Sequence, residues 1–186
     1  MNNGKGKWPE NVTVKGDPLN DSNRRYMLKI FPKDSAQIKK EILVIMLNPS
    51  KADEDSSDKT CKVLINLCDW NGYNGITICN LFSLRKSNVK ELNEEIQDAN
   101  DSLNDLKRYI EPFDEVLCAW GRAEGLKDRN LYNERITEVY EILANKKLKE
   151  FGHSSLNGNI YPYHPLYYIY TKSKEPCEIN EHKPWT

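Results

Sequence analysis

Apolar positions along the chain fall into two rhythms. Short unbroken runs suit strands covered on both faces, and runs with a step of three or four suit one face of a helix. Order begins at RRYMLKIF, Arg24 to Phe31, which predicts an edge strand ended by Pro32. EILVIML, residues 41–47, is apolar from Ile42 to Leu47 and predicts a central buried strand. Ser57 or Asp58 then caps a helix whose inner face is Cys61, Leu64, Ile65 and Cys68, ending before Gly72. GITICNLF, Gly75 to Phe82, predicts a second buried strand. Val89, Leu92, Ile96, Ala99, Leu103, Leu106 and Ile110 outline a long amphipathic helix closed by Pro112. DEVLCAWG, Asp114 to Gly121, predicts a third strand, and Leu131, Ile136, Val139, Tyr140 and Leu143 another helix. The aromatic, Pro-rich end shows no period beyond a short strand near Asn159 to Tyr161.

Strands alternating with helices imply βαβ units, hence a three-layer α/β/α sandwich with a mostly parallel central sheet. Residues 1–23, polar and rich in Gly, Asn and Pro, read as a tail or irregular lead-in, and residues 24–186 as a single α/β domain. In open α/β sheets ligands bind in the crevice beyond the carboxyl ends of the strands. Three consecutive predicted strands end there on polar or backbone-exposing residues: Asn48-Pro49-Ser50, Asn80 and Gly121-Arg122. The pattern signals a pocket.

Composition narrows the partners. Among 186 residues the 27 basic and 28 acidic side chains nearly cancel, so no global charge draws the chain to DNA or an anionic membrane. The longest apolar run is far short of the roughly 20 residues that span a bilayer, and the first dozen residues hold no signal-sequence core. A cytoplasmic protein without a membrane partner is expected. Five cysteines without a Cys-x-x-Cys pair read as buried small hydrophobes, and three scattered histidines make no zinc site with them. No metal and no cofactor is expected, and the oligomeric state is not legible.

Each polar candidate has a plain reading beside a functional one. Asn48 before Pro49 is a turn former, or an amide fixed at a pocket floor to orient a water. Asn80 in a strand either caps the strand end or gives a donor and an acceptor to the edge of a nucleobase. Gly121 either supplies an unusual backbone angle or admits a ligand close to the chain, with Arg122 offering charge to a phosphate. His164, before a proline and among Tyr161, Tyr163, Tyr167 and Tyr168, is either a satisfied structural residue or a partner for a planar base. Asp53, Glu54, Asp55 and Asp58 either ligate a divalent cation or, as expected here, form a solvated cluster that starts a helix. Walker, Gly-x-Gly-x-x-Gly, Gly-x-Ser-x-Gly and metalloprotease motifs are all missing.

The motifs in order resemble a bacterial and phage family, domain-of-unknown-function family 1643. The resemblance is carried by NPSKADE (48–54), WNGYNG (70–75), NLFSLR (80–85), AWG (119–121) and HPLY (164–167). More distantly the chain is similar to the uracil-DNA glycosylase superfamily in its order of parts: an Asn-Pro motif after the first core strand, an Asn ending the next, a Trp-Gly corner and a late His-Pro. The leading Gly of that Asn-Pro motif is Met46 here, and Ser50 stands for its closing Gly. This second resemblance implies a glycosylase-like fold and a glycosylase-like hydrolase acting on a base in DNA or on a nucleotide. By it Asn48 would orient water, Asn80 would read the base and His164 would support the leaving base. Pro49, Ser50, Gly121, Arg122, Tyr163 and Tyr167 would line the ligand. The alternatives are a nucleotide sensor or sequestering protein using the same crevice without chemistry, and a partner-binding domain whose Tyr-rich end is an interface.

Overall fold

The computed structural model describes residues 6–17, 23–86, 92–93, 102–152, 161–167 and 177–184. They form a mixed α/β fold: one seven-stranded sheet and three α-helices. The strands are β1 (Val12–Asp17), β2 (Met27–Pro32), β3 (Glu41–Met46), β4 (Gly75–Asn80), β5 (Glu115–Cys118), β6 (Lys147–Phe151) and β7 (Ile179–Glu181). The helices are α1 (Lys59–Trp70), α2 (Ser102–Ile110) and α3 (Arg129–Ile142). Across the sheet the order is β1-β2-β4-β3-β5-β6-β7.

Strands β4, β3, β5 and β6 are parallel neighbours, whereas β2 pairs with β4, β1 with β2, and β7 with β6 in antiparallel fashion. The expected mostly parallel sheet is therefore a parallel centre with antiparallel flanks. The unbroken apolar run of β3 follows from its place, paired on both sides and buried on both faces. Alternate residues face opposite helices. Ile42, Val44 and Met46 of β3 join Ile76, Ile78 and Leu117 in packing on Cys61, Leu64, Leu67 and Cys68 of α1. Leu43 and Ile45, with Cys79, Val116 and Cys118, pack on Leu106 and Ile110 of α2 and on Tyr132, Ile136 and Val139 of α3. Each fully buried Leu or Ile in these layers contributes roughly 1.5–3 kcal/mol.

Two expectations need correction. Val12–Asp17, placed in an irregular lead-in, is a strand, because Val12 and Val14 pack on the α1-side core. That strand covers β2, which is consequently internal and not an edge. The helix expected from Val89 and the strand expected near Asn159 lie largely outside the described residues, apart from α2 and a buried Leu92. No described helix is long and apolar enough to cross a membrane.

Candidate functional site

The chain leaves β3 toward the α1 face and leaves β5 toward the α3 face, so the loops after these adjacent strands part in opposite directions. This is the topological switch point at which open α/β sheets form their crevice. The residues beyond it are Leu47 to Ser50 after β3 and Ala119 to Gly121 after β5, with Asn80 ending β4 in register with Met46.

Asn80 is 4% exposed, and neither its amide nitrogen nor its amide oxygen has a hydrogen-bond partner. The Oγ of Ser50 and the Nε1 of Trp120 are likewise buried and unpartnered. Buried side-chain polar atoms are nearly always bonded to protein, water or ligand, so orphaned side chains gathered at one sheet edge make it a candidate binding place. Asn48 differs. Its Nδ2 donates to the carbonyls of Lys86 (2.6 Å), Pro49 (3.1 Å) and Leu84 (3.4 Å), which pins the loop after β4 and leaves Oδ1 as the amide's acceptor. Pro49 is buried beside it and keeps Asn48 out of helical geometry.

Next to this edge lies a hollow of about 650 Å³ lined by Gly121, Arg122, Tyr163, His164, Leu166 and Tyr167 among others. Gly121 sits at φ +74°, and a Cβ there would come within 3.1 Å of the His164 Cβ, so glycine is required for both reasons. Its carbonyl accepts from Tyr132 Oη at 2.5 Å, and its N–H donates to Pro162 O at 3.0 Å. Arg122 is exposed at the rim. Tyr163 and Tyr167 stack with centroids 4.1 Å apart and 8° between planes, so Tyr167, 41% exposed, carries the outward-facing ring.

His164 is half-buried, and its Nδ1 accepts from the Leu166 N–H at 3.2 Å. That bond fixes the neutral tautomer with the proton on Nε2. Burial pushes its pKa down to about 4, against a smaller upward pull from the Asp58 carboxylate. At neutral pH it is an uncharged donor. The influence of Asp58 also places the start of α1 within electrostatic reach of the hollow.

Gly121, Arg122, His164, Tyr163 and Tyr167 thus share one hollow, whereas Asn48 and Asn80 are not among its lining residues. The acidic loop serves local structure. Asp53 Oδ1 accepts from the N–H groups of Asp55 and Ser56 and from Ser56 Oγ, while Asp58 caps α1 through Cys61 N at 2.8 Å. Among the described residues no group of three or more His, Cys, Asp or Glu converges as a metal site would require.

Pattern reading missed Arg25. It is 2% exposed, with Nη1 on the Ala52 carbonyl and with Nε and Nη2 unpartnered. An Arg pair at the head of a strand carries no periodic signal, and only the pairing of β2 with β4 brings its backbone to the loop after Asn80, where the Arg25 N–H donates to Ser83 O at 2.8 Å. A second hollow of about 570 Å³ opens at the opposite edge, but its charged side chains include the satisfied pairs Lys29–Glu41 (2.8 Å) and Lys40–Glu115 (3.1 Å), and its Arg108 pairs with Asp17 outside the lining (3.0 Å).

No curated protein and no solved structure matches the chain. The family model described as "Protein of unknown function (DUF1643)" matches residues 25–166, which contain β2 to β6, Asn80, Gly121 and His164. The chain belongs to this family.

Proposed function

We propose that the protein is a glycosylase-like hydrolase with a fold of the uracil-DNA glycosylase kind, acting on a nucleobase in DNA or in a nucleotide. The observation that carries the reading is the orphaned amide of Asn80 at the carboxyl edge beside the switch point. An Asn side chain offers a donor pair and an acceptor, the complement of a base edge, and its desolvation is offset only when such an edge arrives. The base would stack on Tyr167, the partly exposed member of the stacked pair. Extruding it from a duplex costs a few kcal/mol, less for a mispaired base.

Hydrolysis breaks the bond between the sugar and the base and leaves negative charge on the departing base. A neutral His164 with its proton on Nε2 donates to that charge without having been a cation beforehand. Asn48, its nitrogen committed to three carbonyls, has only Oδ1 to orient the attacking water. The reading is tested by base release from oligonucleotides carrying uracil, hypoxanthine or mismatches. Release should vanish in Asn48→Ala and fall by roughly two to three powers of ten in His164→Ala.

One observation favours a second reading. Asn48 and Asn80 lie outside the lining of the His164 hollow, so the pieces of the chemistry are not assembled around one space. A nucleotide sensor needs no such assembly. It would show stabilisation by mononucleotides with no base released, and absence of both responses would leave neither reading standing.

A further inference from the structure

We propose that the crevice takes a phosphorylated ligand and that the buried guanidinium of Arg25 binds its phosphate. This rests on the nucleobase reading only for the identity of the rest of the ligand. β2 runs antiparallel to β4 with Leu28 opposite Ile78, so the chain is at the level of Asn80 two residues before Leu28, and just ahead of that the Arg25 N–H closes on the Ser83 carbonyl at 2.8 Å. Nη1 of Arg25 is used on the Ala52 carbonyl, on which Arg85 Nη2 also donates at 3.0 Å. Two guanidinium groups therefore meet on one carbonyl, and the Nε and Nη2 atoms of Arg25, the fork that matches an oxyanion, are left over.

The neighbouring carboxylates do not bond that fork. Asp58 is held at the α1 cap, and the Glu54 carboxylate lies over Gly16, where a Cβ would fall 2.2 Å from its Oε1. The other unpartnered atoms of this edge are Ser50 Oγ, Trp120 Nε1 and the two amide atoms of Asn80. Counted together, the unused donors on Arg25, Ser50 and Asn80 outnumber the unused acceptors, which calls for a group rich in acceptors and negatively charged. Phosphate is that group, and it comes either from a nucleoside monophosphate or from the backbone of a DNA strand. Since the fork is sealed from solvent, access requires the loop 48–58 to lift from Arg25.

Thermal unfolding of the full chain tests this with 2′-deoxynucleosides, their 5′-monophosphates, inorganic phosphate and a mixed-sequence single-stranded oligonucleotide. At a hundredfold excess over Kd the phosphorylated ligand should raise Tm by about 5–10 °C, more than the nucleoside does. In Arg25→Met that increment should vanish while the unliganded Tm holds or rises, because the apolar side chain removes a buried charge. Ser50→Ala should fold normally and weaken the increment, and Arg25→Lys should fold and retain part of it. An increment with the oligonucleotide alone supports the proposal and assigns the phosphate to a DNA backbone. An Arg25-dependent increment with inorganic phosphate but no response to any base supports it while removing the nucleobase reading. Equal stabilisation by nucleosides and monophosphates overturns it and leaves that reading intact. Collapse of both Arg25→Met and Arg25→Lys without ligand also overturns it, since Arg25 would then be a structural cation.

Discussion

Asn48 and Asn80 end neighbouring strands with opposite hydrogen-bond fates, and that difference fixes the sign of two substitutions. Removing the Asn48 amide takes one donor from the carbonyls of Leu84 and Lys86, so Asn48→Ala should lower unfolding free energy by about 1–2 kcal/mol. Removing the Asn80 amide takes away two unsatisfied buried atoms, so Asn80→Val should raise it by about 1 kcal/mol while ending any base recognition. Urea midpoints of the two variants check this, and a destabilised Asn80→Val would mean that the amide is satisfied after all. His164 adds a pH dependence. Its folded pKa of about 4 lies below the ordinary 6.5, so below pH 6.5 the unfolded chain takes up a proton that the native chain refuses. The contribution of His164 is whole above pH 6.5, falls as pH drops, and is lost below about 4. Partial exposure limits it to the order of 2–3 kcal/mol. Unfolding midpoints from pH 8 to 4 should flatten in His164→Asn relative to the parent, and parallel curves would contradict the buried neutral imidazole.

Elements were legible where burial left an uninterrupted signature. β3 and β4 announce themselves as apolar runs, and α1 by Asp58 at its cap with Cys61, Leu64 and Cys68 behind it. Gly121 and His164 were legible as a strand-end corner and a His-Pro, and the structure sets them against each other. β6 was not, because KLKEF buries a carboxylate where a hydrophobe would reveal a strand. Glu150 is 2% exposed, its Oε2 3.3 Å from His182 Nδ1, and His182 Nε2 lies 2.6 Å from Tyr140 Oη. A polar chain joining β6, the segment after β7 and α3 is invisible to any hydrophobic period, since its partners lie far apart in sequence. Arg25 escaped for the same reason. The Glu150 chain makes a prediction at this scale: Glu150→Ala takes the partner from His182 Nδ1 and should cost about 1–3 kcal/mol. Replacing Glu150 and His182 by Leu together with Tyr140→Phe should recover most of that loss in denaturant unfolding. A near-zero effect of Glu150→Ala would show that β6 and the segment after β7 do not depend on the pair.

At the scale of the whole molecule one sheet separates two helical layers, and the free thiols report on each. Cys61 and Cys68 belong to the α1 layer, Cys79 and Cys118 to the α2–α3 layer, and all four are fully buried. Burial raises each of their pKa values, which starves them of the reactive thiolate as well as of access. Cys177 alone is half-buried. β3 donates alternate side chains to both layers, so losing either layer exposes half of the central strand, and the two should open together. Labelling the native protein with a thiol-reactive disulfide should therefore show Cys177 reacting first, followed by the other four at one common rate that matches global unfolding. Separate rates for the two pairs would break the coupling. If Cys61 and Cys68 led, the α1 layer would be opening by itself, and with it the loop 48–58 whose Ala52 carbonyl holds Arg25.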